Sequence, residues 1–145
     1  MTDSNAMRAA AEAAMAGKAG DAGEVSEQRR RGLDMMNRVY GWAMPNVPGD
    51  FFAMTADHVF GEVWTRPGLS IEQRRLLLIG ALAALGKPDV LDIQLDSALR
   101  LGELDATALR EVVIFLAHYL GWPVAAGLNS QVEKLLAKQD PTPSR

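Results

Sequence analysis

The chain contains two histidines, His58 and His118, and imidazole is the side chain best suited to moving a proton near neutral pH. His58 follows Met54 by four residues, so a helix would place it on an apolar face, where a packed or interface histidine is the commoner interpretation. His118 shares a helix face with Glu111 and Phe115. Two turns, roughly 10 Å, separate Glu111 from His118, so the two could face one pocket or a subunit contact without bonding directly. Two histidines without ligand spacing predict no metal site.

Aromatic and cationic residues beside the predicted helix ends are the candidates for binding a substrate. In the stretch "VWTRPG", Trp64 can wall a pocket and Arg66 can hold a carboxylate, although Arg66 could equally brace an acidic side chain of the protein itself. In "FLAHYLGWPVAAG", Tyr119 and Trp122 stand beside a helix stop and a helix start with almost no loop between them. The predicted substrate-binding residues are Arg66, Trp64, Glu111, Tyr119 and Trp122.

The elements that must position these residues are all predicted to be helices. Apolar residues recur every three or four positions from Ser26 to about Ala43 and from about Asp50 to Trp64. The run "LLLIGALAAL" is apolar on every side and predicts a central, buried helix. Residues typical of helix ends delimit this helix and three later ones; they are Ser70 with Gln73, Pro88, Gly102, Asp105, Gly121 and Pro123. No segment alternates as a strand does, so we predict an all-α bundle of about six helices.

Composition bounds the domain organisation and excludes several classes of function. Of the 145 residues, 1–25 form an Ala/Gly-rich tail that we expect to be flexible, 26–138 form one helical domain, and 139–145 form a disordered tail. The chain has no cysteine, which excludes thiol chemistry and cysteine-bound metals. A net charge of -3 gives no basic footprint for nucleic acid, and no apolar run is long enough to span a membrane. We therefore predict a cytoplasmic protein without a nucleic-acid or membrane partner.

A longer set of motifs resembles the carboxymuconolactone decarboxylase family, which is related to the alkylhydroperoxidase D-like fold. The resemblance runs from about Arg29 to Leu136 and rests on "FGEVWTRPGLSIEQRRLLLIGALAALG" and "LREVVIFLAHYLGWPVAA". It implies a small all-helical subunit that forms a trimer or hexamer with pockets between or beside the subunits. The apolar run "LLLIGALAAL" independently favours an oligomer, because a monomer of this size would struggle to cover it. The peroxidase branch of the family uses a CxxC pair, so its chemistry is excluded here.

Two positions on one helix depart from what the resemblance implies. The family typically places a histidine eight positions before the glycine that ends the helix after the central one. With Gly102 as that glycine, the position is Gln94, and Val90 stands where a glutamate is usual. Glutamine can donate a hydrogen bond to an enolate but cannot exchange a proton near neutral pH. A buried glutamine satisfied by backbone groups is the competing interpretation.

The sequence thus predicts a carboxymuconolactone decarboxylase-like enzyme that acts on a small anionic or lactone-like molecule through an enolate-type intermediate. Arg66 would hold the anion, Gln94 would donate to the enolate oxygen, and His58 or His118 would handle a proton. The reaction would be a decarboxylation or a diverged isomerisation or cyclisation, and no cofactor is predicted. The alternative is a catalytically inactive oligomer that binds a small molecule or acts as a scaffold.

Overall fold

The computed structural model describes residues 25–139, and all regular structure within that range is helical. The helices are α1 (Glu27–Tyr40), α2 (Asp50–Met54), a π-helical segment (Thr55–Val63), α3 (Ile71–Ala84), α4 (Pro88–Arg100), α5 (Ala106–Leu120) and α6 (Trp122–Gln139). The prediction of an all-α fold with about six helices is confirmed. The predicted tails, 1–25 and 139–145, lie almost wholly outside the described residues. The chain divides into two compact units, with the first ending at Arg74 and the second beginning at Arg75.

In the first unit, α1 packs along the π-helical segment. Gly32 makes this close approach possible, because a Cβ on it would lie 2.6 Å from the carbonyl carbon of Ala56 and closer still to its oxygen. Tyr40, Phe60 and Trp64 form an aromatic row, with ring centroids 5.6 Å and 5.7 Å apart. This row and the packed backbones give the unit its core.

The two helices predicted in this unit are present, with different ends. The first stops at Tyr40 rather than near Ala43, because Gly41 takes a left-handed conformation with φ 73°. Asn37 then holds the chain beyond it by accepting a hydrogen bond of 2.6 Å from the backbone N–H of Met44. The second prediction, about Asp50 to Trp64, corresponds to α2 continued by the π-helical segment, whose wider turns appear in the bond from the Trp64 N–H to the Val59 carbonyl.

The helix ends predicted between Ser70 and Pro123 are confirmed. Ser70 and Gln73 form both bonds of the capping box ahead of α3, at 2.9 Å and 3.1 Å. The Asp105 carboxylate caps α5 by accepting from the Ala108 N–H at 2.8 Å. Gly121 ends α5 with φ 87°, and α6 follows at once.

Nine buried apolar side chains form the core of the second unit: Ile79, Leu82, Ala83, Leu91, Leu95, Leu109, Val113, Leu128 and Val132. The prediction that the apolar helix is buried throughout is only half right. Ile79, Leu82 and Ala83 face the core, whereas Leu77 and Leu85 are about two-thirds exposed, at 65% and 68%. A helix in a small subunit covers one stripe of its surface, so an all-round apolar helix leaves a face unpartnered.

Candidate functional site

Gln94 belongs to a buried polar cluster with Arg75 and Glu103, which we call the buried triad. Arg75 is 1% exposed, Gln94 3%, and the Glu103 side chain 8%. Arg75 donates through Nη1 to Gln94 Oε1 at 2.7 Å, and its Nε and Nη2 donate to the two carboxylate oxygens of Glu103. The arginine is thus held by a two-pronged ion pair on one side and by an amide oxygen on the other.

Local sequence rules place each member of the triad. Arg75 lies one turn before Ile79 on the buried stripe of α3, and Gln94 lies beside Leu95 on the buried side of α4. Glu103 arrives through a Schellman turn: Gly102 has φ 73°, and the N–H of Glu103 bonds to the Ala98 carbonyl at 2.9 Å. The glycine that marks the end of α4 therefore also aims the carboxylate that pairs with Arg75.

The triad fixes which end of the Gln94 amide is the donor. A guanidinium group has donors only, so the atom that faces Arg75 must be Oε1, and Nε2 is the opposite end of the amide. The positive charge behind Oε1 polarises the amide and makes its N–H groups better donors. Gln94 is therefore buried, as one sequence interpretation expected, and its amide oxygen is satisfied by a side chain rather than by the backbone.

Arg75 and Glu103 are the residues that reasoning from sequence missed. A usable signal exists in the spacing, because Arg75, Ile79 and Leu82 follow the i, i+4, i+7 pattern of one helix face. A charged residue on an apolar stripe must find a partner when that stripe is buried. The sequence does not show that the partner is Glu103, which lies 28 positions away.

His58 lies in the π-helical segment on the surface, not in a core, with its side chain 66% exposed. Its Nδ1 is 2.7 Å from Glu62 Oε2. The other oxygen of Glu62 accepts from Gln28 Nε2, also at 2.7 Å. A carboxylate that is itself held in place thus orients the imidazole, which is the arrangement of many acid and base histidines.

His118 and its predicted companions lie on the surface of the second unit. His118 Nδ1 lies 2.8 Å from the carbonyl oxygen of Ile114 on its own helix, a contact that identifies Nδ1 as the protonated nitrogen. Glu111 is exposed, and Tyr119 and Trp122 are each 74% exposed. These four side chains are thus exposed, whereas Gln94 is buried and bonds to Arg75.

Trp64 and Arg66 lie together in the first unit, where both line a surface groove of about 380 Å³. Trp64 is 9% exposed and stacks on Phe60. Arg66 is exposed.

Neither a metal-binding cluster nor a membrane-spanning helix is found in residues 25–139. Within that range no three His, Asp or Glu side chains are grouped so that they could hold a metal ion. No helix in the described part of the chain has the length and apolar character needed to cross a membrane.

The fold and the buried triad define a small helical protein with a buried polar cluster as well as an apolar core, and comparison with known proteins supplies the family. The sequence profile of the Carboxymuconolactone decarboxylase family matches residues 49–133. A 4-carboxymuconolactone decarboxylase of Acinetobacter baylyi is 30% identical over 118 residues, which cover 75% of this chain and 87% of that protein. The chain belongs to the carboxymuconolactone decarboxylase family.

Proposed function

We propose that this protein is a decarboxylase-like enzyme that acts on a small anionic or lactone-like organic molecule through an enolate-type intermediate. The observation that carries the proposal is the orientation of Gln94, whose oxygen is occupied by Arg75 and whose amide N–H groups are the remaining donors. Membership of the family and the likeness to a 4-carboxymuconolactone decarboxylase support the class of reaction.

The reaction requires a hydrogen-bond donor at the oxygen that gains negative charge. When a carboxylate conjugated to a lactone leaves as carbon dioxide, the electron pair of the broken bond spreads onto the carbonyl oxygen as a dienolate. The Gln94 N–H groups would stabilise that oxygen, and Arg75 would hold the amide in place. Isomerisation or cyclisation through the same enolate would use the same donor.

A proton must then return to carbon, and Gln94 cannot supply it. His58 and His118 remain the proposed proton carriers. Glu62 orients His58, whereas a backbone carbonyl orients His118. Arg66 would hold a carboxylate of the substrate, and Trp64, Glu111, Tyr119 and Trp122 remain proposed contacts of its body.

Gln94→Glu is the sharpest test, because it keeps an oxygen for Arg75 and the shape of the side chain while removing the N–H donor. The added negative charge also opposes an enolate. We expect turnover to fall by about 100-fold or more, the usual effect of removing one oxyanion donor. The assay is mass spectrometry of purified protein with a panel of carboxylated lactones that includes 4-carboxymuconolactone.

Gln73→Glu is the matched control, since a capping box accepts either residue at that position and turnover should stay unchanged. Circular dichroism checks that both variants fold. A wild-type rate in Gln94→Glu, for a substrate that the wild-type protein converts, would remove Gln94 from the mechanism.

The second candidate, a catalytically inactive binding or scaffold protein, is favoured by the near-complete burial of Gln94 and by its bond to Arg75. This function predicts no turnover of any lactone by the wild-type protein. Lactone decarboxylation that appears only in Gln94→His would then indicate a lost activity.

We also propose that the protein is a homo-oligomer, a trimer or a hexamer. The support is an apolar surface on the second unit formed by Ile114, Phe115, Tyr119 and Trp122, all more than half exposed. Light scattering should give a lower mass for Phe115→Asp than for the wild type, whereas Lys134→Asp, on the exposed side of α6, should keep the wild-type mass. A monomeric wild type would contradict this proposal.

A further inference from the structure

Three arginines of the first unit converge on the groove beside Trp64. Arg38 reaches it from α1, Arg66 from the turn after the π-helical segment, and Arg74 from the first turn of α3. The apolar part of the groove wall is formed by Met35, Trp64 and Leu69. We call this feature, formed by these six residues, the arginine groove.

The groove carries an excess of positive charge. Glu72 also lines it, so the described lining contains three arginines and one acidic residue. Arg74 is held by backbone oxygens, with Nη2 donating to the Arg66 carbonyl at 2.7 Å and Nη1 to that of Leu69, and these neutral acceptors do not cancel its charge. Within residues 25–139, neither the Arg38 nor the Arg66 side chain forms an ion pair. Guanidinium groups without carboxylate partners are suited to bind an anion from solution.

The wall of the groove is rigid and aromatic. Trp64 stacks on Phe60 with 11° between the ring planes, and Phe60 in turn contacts Tyr40. The volume of about 380 Å³ lies near the lower end of the range of roughly 300–1,000 Å³ that is usual for small-molecule sites. A rigid indole beside cationic groups fits a flat organic body that carries a negative charge.

We propose that the arginine groove binds the carboxylate of a small, flat organic acid through Arg38 and Arg66, with Trp64 against the carbon skeleton. Arg74 contributes charge and holds the turn that carries Arg66. The identification of the bound acid as the substrate rests on the proposed function. The binding of an acid in the groove does not depend on that function.

The test is isothermal titration calorimetry of the full-length protein with trans,trans-muconate, a planar dicarboxylate. Arg66→Gln and Arg38→Gln should each weaken binding about tenfold, as expected when a charge-assisted contact is lost. Arg31→Gln is the matched control because Arg31 lies on the same helix, is exposed and does not line the groove; its affinity should stay within about twofold of wild type. The neutral dimethyl ester should bind at least about tenfold more weakly than muconate.

Nuclear magnetic resonance locates the ligand. The indole N–H signal of Trp64, assigned by its loss in Trp64→Phe, should shift when muconate is added and should shift less with the ester at the same concentration. Equal affinity in wild type and Arg66→Gln, equal binding of the ester, or a muconate Kd above about 10 mM would each overturn the proposal. Binding that persists without any turnover would instead contradict the proposed function and leave the groove intact as a binding site.

Discussion

Breaking the buried ion pair between Arg75 and Glu103 should destabilise the protein strongly. The two side chains are 1% and 8% exposed, so solvent does little to screen either charge. Arg75→Met leaves the Glu103 carboxylate unpaired in the interior, and Glu103→Gln leaves the guanidinium charge uncompensated. Removing one partner of a buried pair costs about 3–5 kcal/mol, a large part of a typical unfolding free energy of roughly 5–15 kcal/mol.

Urea unfolding followed by circular dichroism measures this loss. With an m-value of about 2 kcal/mol per M, a loss of about 4 kcal/mol lowers the urea midpoint by about 2 M. Protein concentration must be fixed, because an oligomer's stability depends on it. Replacing the whole triad, Arg75→Met with Gln94→Leu and Glu103→Leu, removes both charges of the pair together and should recover most of the loss. Midpoint shifts below about 0.5 M in both single variants would refute the reasoning.

Two further perturbations concern the first unit, with a control in the second. Gly32→Ala should lower the unfolding free energy by about 3 kcal/mol or more, because the new Cβ would collide with the Ala56 carbonyl. The control is Gly127→Ala on α6, whose Cβ would meet nothing within 4 Å and should stabilise the protein by up to about 1 kcal/mol. Urea midpoints compare the two variants, and a Gly32→Ala variant as stable as the wild type would contradict the close packing of α1 on the π-helical segment. The hydrogen bond from Arg29, and then its charge, lower the pKa of Asp57. The ion pair therefore stabilises the protein above pH about 4 and loses this contribution as pH falls through the lowered pKa. Asp57→Asn should cost roughly 0.5–1 kcal/mol at pH 7 and less at pH 2, and an equal cost at both pH values would exclude this linkage.

The ends of the later helices could be predicted because local chemistry decides them. Ser70, Gly102 and Asp105 act through hydrogen bonds or backbone angles within a few residues of themselves, so their types and spacing are sufficient evidence. The end of α1 was predicted too late, because the apolar periodicity continues past Tyr40 while Gly41 reverses the backbone. Periodicity reports which residues pack, and it does not report where the helix stops.

The candidate site was predictable only in part. Spacing from Gly102 singled out Gln94, but the contacts of Gln94 depend on how α3 packs against α4, which no local pattern encodes. An apolar spacing predicted a packed or interface position for His58, and the structure places its side chain on the surface of the subunit beside Glu62. Met54, four residues earlier on the predicted face, is itself 70% exposed, so the apolar spacing did not indicate burial of that face.

The free-energy cost of burying the charged residues of the triad raises the question of what the triad contributes to the protein. An apolar cluster of similar volume is often as stable as a buried ion pair, so stability alone is a weak reason to keep Arg75 and Glu103. The distinct property of the pair is geometric, because it holds Arg75 at 2.7 Å from Gln94 and thereby fixes the direction of the amide donor. We therefore expect the triple apolar variant to approach wild-type stability while losing the turnover that the wild-type protein has. If this variant kept both wild-type stability and wild-type turnover, the triad would serve only to fill the core. That result would also refute the enolate role of Gln94.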